Sequence, residues 1–154
     1  MQNPLEYWQS GPIEGVQPLL QPVAHAILQT RKELLDAVAD FNESKLWLRP
    51  GEMASVGFHL QHIPGVLDRL FTYARGSQLK PEQLDDLSKE NKPDEDVQLS
   101  TLIHRINIQI DLAIDKLKAT TQDDLLTPRE IGRKKIPSNT IGLLFHAAEH
   151  CQRH

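Results

Sequence analysis

Apolar residues recur near the helical period in four stretches of the chain. Leu20, Val23, Ile27, Leu34, Leu35 and Val38 predict a first helix over 21–40, with Pro22 in its first turn, where a missing N–H is harmless. Val56, Leu60, Ile63, Leu67, Phe71 and Ala74 predict a second, which starts at Ser55 as N-cap or near Gly51 and ends on Gly76 as the C′ residue. Pro64 removes one hydrogen bond inside that helix and presses on the carbonyl of Leu60, so a kink is expected within a turn of His62. Leu99, Leu102, Ile106, Ile110, Ala113 and Leu117 carry a third helix to about Ala119. A fourth, capped by Ser138 or Asn139, runs through NTIGLLFHAAEHCQRH to His154.

The segments between these stretches are polar or broken by Pro and Gly. The first dozen residues hold Trp8, Gly11 and Pro12 and read as an irregular lead-in that packs an aromatic onto the body. NESKLWLRPGEMAS reads as a loop with Trp47 as a core plug. The run SQLKPEQLDDLSKENKPDED is too polar for core and reads as a long connection with one short helical turn around 81–87. Residues 120–137 form another connection, in which Arg129, Arg133, Lys134 and Lys135 make a small basic cluster. Such a cluster is a solvated loop or, less often, a receiver for an anionic substrate group. Four amphipathic helices without a convincing strand predict an all-α fold, an antiparallel four-helix bundle in one domain over 1–154. The long connection after Gly76 permits an up-down-down-up order.

Composition narrows the function classes. A chain of 154 residues buries a sizeable core without disulfides, and its one cysteine, Cys151, forms no internal framework. A formal net charge of −4 argues against an extended nucleic-acid footprint. MQNPLEYWQS lacks a basic region followed by an apolar run, and no stretch approaches the length of a membrane span, so a cytoplasmic location away from membranes is expected.

The chemistry concentrates at the histidines. His146, His150 and His154 recur every four residues, and neighbours four apart share a helix face, with Cβ atoms about 6 Å apart. Each step of four overshoots a turn by about 40°, so a consecutive pair, not all three, is the natural chelate. A metal site needs a further ligand from elsewhere, and the alternative is a set of histidines satisfied by water or carbonyls. His59 and His62 lie three apart on the second helix, and His104 lies between core positions of the third.

Two of these segments carry a resemblance. ASVGFHLQHIPGVLDRL and GLLFHAAEHCQRH resemble the second-helix and fourth-helix patterns of the DinB/YfiT-like four-helix bundles, which include metal-dependent hydrolases and thiol S-transferases. The resemblance implies one histidine from helix two and two from helix four as ligands, here His62, His150 and His154, with His59 and His146 one turn away. Three neutral imidazoles suit a divalent ion, Zn²⁺ or Ni²⁺, with a position left for water or substrate. It implies a small-molecule substrate between helices two and four. The rival reading is a non-catalytic metal-binding or helix-packing protein, a homodimer in one form, in which the ion clamps two helices.

The chain departs from that family in two places. An acidic residue often follows the middle histidine, whereas here Cys151 does and Glu149 precedes it. Successive helix positions diverge by about 100°, which leaves the general base unassigned. Cys151 reads as a small buried hydrophobe, or as a thiol near the site. The family also continues past the last ligand histidine, so either a longer native chain or another contact is expected to hold His154.

Overall fold

The computed structural model describes residues 5–154; the start of the predicted lead-in, residues 1–4, lies outside the described residues. The predominantly helical chain holds α1 (Gln21–Val38), α2 (Val56–Ala74), a short α3 (Pro81–Lys89), α4 (Leu99–Ala119) and α5 (Thr140–Arg153), with a hairpin of β1 (Pro128–Ile131) and β2 (Ile136–Asn139) before α5. Both α1 and α2 pack against α4 and α5. Leu20, Ile27, Leu67, Leu102, Ile106, Ile110 and Leu117 are all fully buried between them. Each such side chain contributes about 1.5–3 kcal/mol on leaving water. Among the described residues, no helix is long and apolar enough to cross a membrane.

The predicted helix starts hold where side chains terminate them. Ser55 accepts from the Phe58 N–H at the head of α2, and Asn139 accepts from the Gly142 N–H at the head of α5. Gly76, at φ +76°, lies just past the end of α2, where its N–H bonds the Tyr73 carbonyl. Pro64 lies inside α2, which continues past it to Ala74.

Four expectations need correction. The segment before α5 is not strand-free, since Ile131 pairs with Ile136 and Arg129 with Ser138 in an antiparallel ladder. Its turn is closed through positive φ at Gly132 and Lys135, and its last strand residue, Asn139, doubles as the cap of α5. Trp8 stands 64 % exposed, and it is Tyr7 that packs on the core. Trp47 is half-buried, so the plug in its loop is the neighbouring Leu46, 2 % exposed. The Trp47 ring still covers α2, lying where a Cβ on Gly57 would fall.

The polar connection after Gly76 also enters the core, against expectation. Glu90, just past α3, is 5 % exposed. Its buried partner is Arg69 of α2, whose guanidinium meets both carboxylate oxygens, at 2.5 and 3.2 Å. A paired charge of this kind tolerates burial that a lone carboxylate does not.

Candidate metal centre

The packing of α2 on α5 brings His62 together with His150 and His154. His62 Nε2 lies 3.0 Å from His150 Nε2, and His150 Nε2 lies 3.1 Å from His154 Nε2. One ring nitrogen from each of the three lies within 4.8 Å of the others, a grouping compatible with a divalent metal ion. Tetrahedral ligation at about 2.0–2.1 Å sets neighbouring nitrogens about 3.3–3.4 Å apart, a few tenths of an ångström wider than these pairs.

Two neighbours fix the His62 ring. Its Nδ1 donates to Glu90 Oε2 at 2.7 Å, and Phe58, one turn back on α2, stacks on it with ring centroids 5.0 Å apart and planes 16° from parallel. Burial pushes the Glu90 carboxyl up, but hydrogen bonds from His62 and Arg69 outweigh it and hold the group below its ordinary range. Glu90 is therefore ionised and accepts only. With the His62 proton on Nδ1, the lone pair of Nε2 points at His150 and His154. A carboxylate behind a histidine in this way fixes its tautomer and raises its basicity as a ligand.

Gly65 makes the approach possible. A Cβ there would run into the Glu90 carboxylate and the Arg69 guanidinium, so a mid-helix residue that ordinarily weakens a helix is required by the ion pair beside it.

The α5 side of the cluster is held differently. Arg153 donates to His150 Nδ1 at 3.0 Å and pairs with Glu149 through Nε at 2.8 Å. Accepting at Nδ1, neutral His150 carries its proton on Nε2, the nitrogen facing His62 and His154. Ligation by that nitrogen requires the proton on Nδ1 and Arg153 turned to Glu149. His154 is held at its other nitrogen, where Nδ1 lies 3.1 Å from His59 Nδ1. The Phe58 edge lies beside it at 6.0 Å between centroids.

Three of these rings, His154, His150 and His59, are shifted toward the neutral form. Burial first, then the nearby His62, His150 and His59, lower His154 to about 4. Burial and His62 also lower His150 and His59. Neutral imidazole is the form that binds metal.

The other candidates lie off the cluster. His146 sits beside His150 at 5.4 Å between centroids, but its Nδ1 meets Glu149 at 2.7 Å. Glu149 is thus taken up by His146 and Arg153. His104 is exposed on α4. Cys151 is buried, and burial raises its thiol to about 12, so the reading as a small hydrophobe holds and that as a reactive thiol does not. Beside His59 and His154 a cavity of about 290 Å³ opens between α1, α2 and α5, with Leu34, Val56 and Ile63 in its wall and Glu33 in its lining.

Sequence reasoning missed Glu90, Arg69 and Phe58. The signal available for the first two was the Pro64-Gly65 pair inside an otherwise apolar helix, which marks a close approach by something polar.

The comparison with curated proteins gives no match. The sequence model of the DinB superfamily matches residues 26–154, which spans α1 to α5 and includes all the clustered histidines. The chain belongs to the DinB superfamily.

Proposed function

We propose that this protein is a divalent-metal enzyme of the hydrolase or thiol S-transferase type, with His62, His150 and His154 as ligands to one Zn²⁺ or Ni²⁺ ion. The observation that carries the reading is the bond from His62 Nδ1 to Glu90, which aims a basic Nε2 at His150 of α5 and at His154 just past its end. Three nitrogen ligands leave a coordination position open, the mark of a catalytic rather than a closed structural site. A bound ion would supply an acidified water, of pKa about 7, or hold a thiolate.

This chain's own residues do the rest. The cavity beside His154 takes the apolar body of a small substrate, with Leu34, Val56 and Ile63 in contact and water excluded behind them. His59 borders the same cavity, and its lowered pKa keeps it free to accept a proton near pH 7. We assign the chain to one domain in which the long connection through α3 allows the up-down-down-up helix order.

Because the histidines join α2 to α5, an ion that only clamps two helices is the second reading. Ester and amide hydrolysis, and thiol transfer to an electrophile, measured in metal-loaded and chelator-stripped protein, separate the two. The enzyme reading predicts turnover that needs the ion and disappears in His62→Ala. A stripped protein that only melts earlier, with no activity in either form, supports the clamp.

A further inference from the structure

A second cavity, of about 260 Å³, lies between the last turns of α2 and α4, the hairpin and the first turns of α5. It shares no residue with the histidine cluster. Arg75 in its wall is 13 positions beyond His62 along α2, about 20 Å at about 1.5 Å per residue.

Three cations, Arg75, Lys116 and Arg129, line this cavity, against one carboxylate, Asp124. Helix C-termini attract cations, and Arg129 answers that need by donating Nε to the Ala74 carbonyl at 2.6 Å. Arg75 and Lys116 are left over: among the described residues neither forms a salt bridge. Asp124 is occupied by the Thr121 hydroxyl at 2.7 Å, and Asp68, near Lys116, accepts from Gln83 at 2.6 Å. The Lys116 ammonium lies 5.9 Å from the centre of the Phe71 ring, half-buried. Burial and then Arg75 lower its pKa, and the carboxylate of Asp68 offsets them only in part.

We propose that this cavity binds the phosphate group of a small phosphate monoester with an apolar, ring-sized body. Three cations less one carboxylate leave a net +2 in the lining, which matches the −1.5 to −2 that a phosphate monoester carries near pH 7, as a carboxylate would not. Arg75 offers a forked donor, Arg129 its remaining Nη2, since its Nε and Nη1 serve the Ala74 and Pro128 carbonyls, and Lys116 a point charge, a usual complement for phosphate oxygens. Phe71, Ala119 and Leu144 supply the apolar wall for the body of the ester, and about 260 Å³ has room for a ring. The proposal gives Arg129 a ligand and leaves Arg133 and Lys134 of the same basic run to solvent, while Lys135 pairs with Glu130 at 3.7 Å.

Titration of the full chain with phenyl phosphate, followed by amide chemical shifts, tests this, with inorganic phosphate and benzoate as comparisons. The expected result is saturable shifts at Thr120 and Thr140, tightest for phenyl phosphate, with the His62 and His150 amides unmoved. Lys116→Met and the exposed Arg75→Gln should each weaken binding by about tenfold, a loss typical of a charge-assisted contact. Absence of saturation, affinity unchanged in both variants, or benzoate binding as tightly as phenyl phosphate would each overturn the proposal.

Discussion

His62 donates its Nδ1 proton to Glu90 at 2.7 Å across 28 residues of chain, and Arg69 grips the same carboxylate from the other side. The bond links the least core-like stretch of the sequence to the most chemically loaded one. Replacing Glu90 with Gln keeps the shape and removes the charge, so metal affinity should fall about 10–100-fold by chelator competition, with little change in fold. Glu90→Ala goes further and leaves Arg69 buried without a partner, at about 3–5 kcal/mol in denaturant unfolding. Equal metal affinity in wild type and Glu90→Gln would remove the carboxylate from the account.

Gly65→Ala runs against the usual rule. In an ordinary helix interior the change stabilises by about 1 kcal/mol. Here the added Cβ meets the Glu90 carboxylate, so the variant should melt below wild type and bind metal more weakly. A rise in Tm would show that Glu90 does not sit against α2 as described.

Arg153 opposes ligation by donating to the nitrogen of His150 that must carry the proton when the other binds metal. Arg153→Gln also removes a positive charge beside the site, and metal affinity should rise severalfold, the equivalent of about 1 kcal/mol. Isothermal titration with Zn²⁺ measures this, and weaker binding in the variant would mean that Arg153 supports the site instead.

The histidines also set a pH dependence. His154 lies at about 4 against an ordinary 6.5, and His150 and His59 are lowered as well, so the folded chain binds fewer protons there than the unfolded chain. Their contribution to stability is complete above about 6.5 and drains away as pH falls toward 4. Glu90, lowered in turn, adds a loss in the more acidic carboxylate range. Chelator-treated protein should therefore lose Tm from pH 6.5 downward, and His154→Ala should lose it less steeply. Parallel slopes in the two proteins would contradict these pKa directions.

Cys151 should resist alkylation at pH 8 until the protein unfolds, since its thiol is buried and raised to about 12. Rapid labelling of the native protein would return it to the list of reactive groups.

The helices and the histidines were legible because both follow the 3.6-residue period. Apolar spacing marks α1, α2, α4 and α5, and steps of three and four place His59 with His62 and His150 with His154. Glu90 was hidden for the opposite reason. In a run of charged residues nothing local distinguishes the one carboxylate that a buried arginine will claim, and that choice is made only by the packing of α3 on α2. The hairpin was hidden because its strands are four residues each and its turn, Gly-Arg-Lys-Lys, reads as a charged loop, with only Ile131 and Ile136 to mark the pairing. Trp8 and Trp47 show that aromatic size does not predict depth at a loop: small Leu46 takes the buried place, and the Trp47 ring lies half-buried over Gly57 of α2.

The central claim is that His62 of α2, His150 of α5 and His154 at its C-cap hold one ion together. Metal content per chain, measured by mass spectrometry on protein purified without a nickel column and reconstituted with Zn²⁺, tests it in wild type, His62→Ala and His104→Ala. The account predicts one ion per chain in wild type and His104→Ala, and almost none in His62→Ala. Equal metal content in all three proteins would contradict it.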